Sequence, residues 1–267
     1  ELEIDEVFLR RYGTDVERCS ITAHYDVTAI ATAVIALDNS AATGRNGLYT
    51  TLASSNHVSL RRFFTLCKGD AVVHSWDVLH GVDVEEDVQR TSLIVWFKPL
   101  EKPAGDNNIA TWISQRRDFE ENGVAQFVFG SAIESSSTPG KYLVHPHDLC
   151  IQSASLGNAF ALDRLGNLCS EGDLSSARVT QVAAMLLALQ PSLKSLRSPL
   201  ARERQRLQNG AASAKEISVL LWYEGALRGL ATSQLSLGYA LMAKARDKPE
   251  CQDLRVLSAL FCSFAEQ

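Results

Sequence analysis

The sequence predicts an α+β multidomain protein, an all-β half followed by an all-α helical-repeat half. Three observations carry this reading. Residues 1–98 are short runs rich in β-branched and aromatic side chains, separated by turn chemistry, whereas Ala- and Leu-rich helical patterns dominate after residue 109. Of the seven prolines only Pro99 lies among the first 100 residues. The acidic excess is confined to the same stretch, which carries 9 Lys/Arg against 14 Asp/Glu, while the remainder carries 17 of each.

Taken in order, the strand-like runs are Cys19–Asp26, Ala29–Leu37, Gly47–Leu52, Arg62–Leu66, Ala71–His74 and Thr91–Phe97. Asp38-Asn39-Ser40, Thr43–Gly47 and Lys68-Gly69-Asp70 supply turns between them. Consecutive runs have no helical pattern of 10 to 15 residues between them, so a βαβ fold is excluded and an antiparallel sandwich or barrel is expected. The first domain is assigned to residues 1–102. Lys98–Asn108 reads as a linker, and the second domain is assigned to 108–267.

In the second half, helices are expected at 110–122, 174–190 and 214–245, with a loop at Ser131–Gly140. A repeat runs through it. Ala125–Gly130, Ala161–Gly166 and Ser233–Gly238 share the form small-x-x-x-apolar-Gly, with glycines 36 and then 72 residues apart. Ala154-x-x-Gly157-x-Ala159 matches Ala226-x-x-Gly229-x-Ala231, and the copy due to end at Arg202 is interrupted. A period of this length means stacked helix pairs in which small residues admit close approach. The run Trp222–Gly238 resembles the Sel1-like family of tetratricopeptide-related repeats, which implies a scaffold that binds a protein partner. The basic stretch Lys194–Arg206 reads as a solvated face.

Chemistry concentrates in the first half. In a strand, His24 and Asp26 project from one face, so a ring nitrogen and a carboxylate can meet on one ion. His80 is the chosen third ligand, giving two histidines and a carboxylate with open positions opposite. Arg90 lies ten residues after His80 and leads into the apolar strand TSLIVWF, where a buried guanidinium needs an anionic partner. Ser92 shares its face. His74 has Val84 ten residues on and is read as a core residue or one lying behind the ligands. His57 is read as exposed, and His145-Pro146-His147-Asp148 as structural.

With those residues in place, 9–97 resemble the prolyl 4-hydroxylase-like branch of the iron- and 2-oxoglutarate-dependent dioxygenases. The matching runs are Leu9–Tyr12, His24-x-Asp26, Val34-x-x-Leu37-Asp38-Asn39, Gly47-Leu48-Tyr49, Lys68–His74, Val78–Val82 and Arg90–Phe97. The resemblance implies a double-stranded β-helix, or jelly roll, in which His24, Asp26 and His80 hold Fe(II). It further implies that Arg90, with Ser92 and Tyr12, binds the far carboxylate of 2-oxoglutarate. O2 and ascorbate are the other expected small molecules. The expected substrate is a prolyl or lysyl residue of a peptide or protein. Two departures stand out: Asn46-Gly47 replaces the family's Gly-Gly pair, and only eight residues precede Leu9. Since the chain opens on Glu1, its amino end reads as trimmed.

Two other readings remain open on the residues alone. One is an oxygenase-fold domain that has lost catalysis and serves with the repeats as a binding scaffold. The other is a lectin- or cupin-like domain using zinc or nickel, which also accept this donor set. A formal charge of −5 argues against nucleic acid as a partner. No apolar run approaches a membrane span, so no membrane partner is expected and a soluble, cytoplasmic setting is favoured.

Overall fold

The computed structural model describes residues 2–16, 18–26, 28–39, 46–51, 60–85, 88–99, 111–136, 142–189, 200–247 and 252–266. His57 and most of the expected linker fall outside them. The chain forms two compact units, with the main boundary between Arg116 and Arg117.

Among its described residues the first unit holds eight strands: β1 (Leu2–Tyr12), β2 (Ser20–His24), β3 (Ala31–Ala36), β4 (Gly47–Thr50), β5 (Arg62–Phe63), β6 (Ala71–Ser75), β7 (His80–Asp83) and β8 (Arg90–Pro99). They pair into two four-stranded antiparallel sheets, ordered β1-β8-β3-β6 and β2-β7-β4-β5. The β-branched and aromatic run of β8 earns it a central place between β1 and β3. The expected double-stranded β-helix is corrected by this pairing. The strands make two small separate sheets and not one wound double strand, with no ladder joining the sheets among the described residues. The second sheet is built from strands of two to five residues. The physical reason the sequence misled is that apolar alternation marks a strand's buried face but not which edges it pairs with.

Inner faces of both sheets contribute to one core of Tyr12, Val34, Leu48, Val82 and Val84, with Ile21 and Ile94 packed against it. The register of β1 shifts between Ile4 and Glu6. Beyond that shift Phe8, Arg10 and Tyr12 line the inner cleft, while Val7, Leu9 and Arg11 are exposed.

The expected helix over 110–122 is also corrected. Only α1 (Thr111–Ser114) forms, followed by a separate 3-10 turn at Phe119–Glu121. Trp112 packs edge-on against Trp76 at 5.6 Å, and Ile113 is fully buried. That packing fixes α1 to the strand-bearing unit, which runs on to Arg116.

The second unit contains α2 (Gly123–Glu134), α3 (Pro146–Ser155), α4 (Ala159–Glu171), α5 (Ser176–Leu189), α6 (Ala201–Gln208), α7 (Ala214–Leu227), α8 (Ala231–Asp247) and α9 (Gln252–Glu266). Gly157 and Gly229 take left-handed backbone angles at the α3–α4 and α7–α8 turns, at φ 83° and 80°. The repeat glycines mark close helix approach. A Cβ on Gly166 would lie 2.5 Å from Trp222 Nε1, one on Gly130 3.2 Å from Leu149, and one on Gly238 2.5 Å from Cys262 Sγ. Helix α4 packs directly on α7, and α5 lies against α3 and α7. The interruption near Arg202 is therefore the α5–α6 excursion between two stacked pairs.

His145 has a local role: its Nδ1 accepts from the His147 amide at 3.2 Å and caps α3, whose first residue is Pro146. Asp148 pairs with Arg178 through two hydrogen bonds. Arg206 pairs with Glu216 at 2.8 Å. Among the described residues no helix is long and apolar enough to cross a membrane.

Candidate metal centre

The ladder between β2 and β7 slips between Ile21 and His24, and this slip sets His24 directly opposite His80. Their rings lie 4.5 Å apart. Strand β2 ends at His24, so Asp26 stands two residues beyond the ladder rather than inside a strand. Its carboxylate is fixed by a side chain instead: the buried Thr32 hydroxyl of β3 donates to Asp26 Oδ2.

Asp26 Oδ1 lies 3.7 Å from His24 Nε2, and Oδ2 lies 3.6 Å from His80 Nε2. One ligand atom from each of the three residues falls within 4.8 Å of the other two. The group could therefore hold a metal ion. Backbone carbonyls select the ring tautomers: His24 Nδ1 donates to Thr22 O at 2.9 Å and His80 Nδ1 to Val78 O at 3.0 Å. Each Nε2 then keeps its lone pair turned toward the carboxylate, as an imidazole ligand requires. Burial, joined by the nearby His74, pushes the His80 ring down to about 4, so it is neutral at physiological pH and ready to donate to a cation.

His74 sits closer to this group than its sequence spacing indicated. Its ring lies 4.1 Å from that of His80, and its buried Nε2 is 3.9 Å from Asp26 Oδ2 with no hydrogen-bond partner.

A cleft of about 520 Å³, part of it open to solvent, runs from the metal group between the two sheets. Phe8, Val34, Leu48, Val82, Ile94 and Trp96 form its apolar walls. Arg10, Tyr12 and Ser92 line it as well. Arg90 is opposite Tyr12 in the β1–β8 ladder, and Ser92 is opposite Arg10. Arg90 is 1% exposed, and none of its three guanidinium nitrogens has a hydrogen-bond partner. The Ser92 hydroxyl, also 1% exposed, is likewise without one. Burial holds the Arg90 guanidinium below its ordinary range, opposed by the charge of Asp38. An unpaired buried cation costs several kcal/mol unless something supplies the missing anion.

The sequence reading singled out His24, Asp26, His80, Arg90, Ser92 and Tyr12, and the structure gathers all six in the first unit. It missed Thr32, which no local pattern ties to Asp26 across two sheets. It also missed Arg10 and Phe8, although a two-residue step back from Tyr12 would have found them.

No protein-family model and no curated protein matches the chain. Among solved structures, EvdMO1 aligns at 16% identity over 38% of this chain and 28% of its own, with a TM-score of 0.32. AviO1 from Streptomyces viridochromogenes Tue57 aligns at 18% identity over 39% of this chain and 54% of its own, also with a TM-score of 0.32. The chain thus spans only about a quarter and a half of these two proteins, and similarity at this level carries no argument about activity.

Proposed function

We propose that the first unit is an Fe(II)- and 2-oxoglutarate-dependent dioxygenase that hydroxylates an unactivated C–H bond, the target being a prolyl or lysyl residue of a peptide or protein. The observation that carries the proposal is the pairing of two features in one small unit. One is a metal-competent His24–Asp26–His80 group with both Nε2 lone pairs free. The other is the buried, anion-seeking pair of Arg90 and Ser92. A ligand with a chelating acid at one end and a carboxylate at the other fits that combination.

His24, Asp26 and His80 would hold the iron. Bound together, Fe(II), 2-oxoglutarate and O2 supply the oxidising chemistry: one oxygen atom enters the C–H bond, the other enters succinate, and CO2 is released. The chain's own contribution is geometric. The carbonyls of Thr22 and Val78 orient the imidazoles, and the Thr32 hydroxyl holds the Asp26 carboxylate. Phe8, Ile94 and Trp96 keep water from the cleft wall. Ser92 and Tyr12 offer hydroxyls to the acid. The second unit, read as a repeat stack, would capture the protein that presents the target residue.

Anaerobic titration with Fe(II) and then 2-oxoglutarate tests the proposal by its visible charge-transfer band. A band that needs both additions and vanishes in His80→Ala supports it. Absence of the band in folded protein that still binds Zn(II) or Ni(II) would move the assignment to a non-oxygenase metal domain. Absence of both would leave a binding scaffold.

A further inference from the structure

The guanidinium that reaches the cleft is that of Arg10, not that of Arg90. Arg10 is one of the residues lining the cleft and Arg90 is not, its nitrogens being sealed from solvent. The two arginines of the Leu9-Arg10-Arg11-Tyr12 run are treated in opposite ways. Arg11 points outward and is neutralised by Asp15 at 2.5 Å, with Gln89 beside it. Arg10 points inward, and among the described residues no carboxylate pairs with it. Its guanidinium carbon lies 4.9 Å from the centre of the Phe8 ring, which holds the side chain along the cleft wall. It is set directly across the ladder from the unpartnered Ser92 hydroxyl. Burial raises the Tyr12 phenol, and of the positive charges opposing that rise Arg10 acts most strongly, ahead of Arg90 and Arg18.

We infer that Arg10 is a second anion-binding residue of the cleft, so that the small-molecule ligand is a dicarboxylic acid whose far carboxylate lies between Arg10 and Ser92, with Arg90 behind. This rests on the dioxygenase reading and adds to it a residue and a charge requirement. One carboxylate chelates at the metal group, where the ion's charge offsets it. The other meets the Arg10 guanidinium directly, with the charge of buried Arg90 behind it, in a poorly solvated site where charge-assisted hydrogen bonds are strongest. A keto acid lacking the second carboxylate would leave both cations without a counter-charge.

The test uses the full chain loaded with Co(II), which does not turn over and reports ligand exchange through its visible spectrum. 2-Oxoglutarate and pyruvate are titrated into wild type, Arg10→Gln and Arg10→Lys. Wild type is expected to favour 2-oxoglutarate over pyruvate. Arg10→Gln should weaken 2-oxoglutarate by about ten- to a hundredfold and flatten the dependence of its Kd on salt. Pyruvate affinity should stay within about twofold, and Arg10→Lys should recover part of the loss. A role in packing alone would weaken both acids together or lower the melting temperature without changing their ratio, and either result overturns the inference. An unchanged Kd for 2-oxoglutarate in Arg10→Gln overturns it while leaving the dioxygenase reading intact. Failure of wild type to bind 2-oxoglutarate at all, with Co(II) in place, removes both.

Discussion

Gly47 makes room for Arg90: a Cβ at Gly47 would overlap Arg90 Nη1, and the backbone there holds φ at +104°. Glycine is needed twice over at this position, for its backbone angle and for the space its missing side chain leaves. Gly47→Ala is expected to lower stability by about 1–3 kcal/mol and to displace the guanidinium. Chemical denaturation measures the first effect, and 2-oxoglutarate affinity on the Co(II)-loaded protein measures the second.

Arg90 itself is expected to trade stability for binding. Replacing a buried unpaired charge with an apolar side chain of similar length removes its desolvation cost and should be neutral or stabilising. Arg90→Met should therefore melt at or above the wild-type temperature without ligand. Under the dioxygenase reading 2-oxoglutarate should raise the wild-type melting temperature, and that rise should shrink or vanish in Arg90→Met. A clear loss of ligand-free stability would mean that the guanidinium is satisfied in the free protein.

Metal binding should appear as thermal protection. At a hundredfold excess over Kd a bound ion adds about 2.7 kcal/mol, and His80→Ala should forfeit that gain in a melting experiment with Co(II) or Zn(II). Thr32→Val, which removes the hydroxyl bonded to Asp26, should weaken metal affinity by about ten- to a hundredfold, with Thr32→Ser restoring most of it.

The helical unit offers a pH test away from the His24–Asp26–His80 group. Burial raises the Asp163 carboxyl above its ordinary 3.8, against the opposing hydrogen bonds from Ser233 at 2.7 Å and Thr232 at 3.1 Å. The folded state then binds a proton more readily than the unfolded one. Ionisation of Asp163 is unfavourable to folding above its folded-state value, and that penalty disappears as pH falls below 3.8. Melting curves of wild type and Asp163→Asn should accordingly shift in favour of the wild type as pH is lowered from neutral through the carboxylate range. A constant difference between the two would contradict the raised value.

Gly166→Ala should destabilise the α4–α7 contact by about 1–3 kcal/mol, because the added methyl meets Trp222 Nε1 at 2.5 Å. The same indole donates to Asn167 Oδ1 at 3.2 Å, so displacement should also change tryptophan emission. Equilibrium unfolding followed by fluorescence reads both.

Particular residues show how far the sequence could be read. The His24-x-Asp26 spacing carried its own geometry, since two residues along an extended chain return a side chain to the same face, even though Asp26 lies past the end of its strand. Gly166 and Gly238 mark positions where a neighbouring helix leaves no room for a methyl group, and Gly130 one where the approach is tight. Antiparallel pairing was legible, but the strand order was not, because pairing partners are chosen across the whole unit. The 110–122 stretch looks helical in a window of sequence, but only a single turn forms at Thr111–Ser114, where Trp112 packs on Trp76. Thr32 could not have been tied to Asp26 by any periodicity, because their hydrogen bond joins β3 to the loop after β2.

The Thr22 and Val78 carbonyls hold both ligand rings in the donor tautomer before any ion arrives, and Thr32 does the same for the carboxylate. An ion binding there would meet two rings already in the donor tautomer and a carboxylate already held by a hydroxyl. Exposure is uneven among the three: the His24 side chain is 41% accessible, against 7% for His80 and 5% for Asp26. An ion held by the three would therefore exchange with solvent through the His24 edge, where a chelator would first make contact.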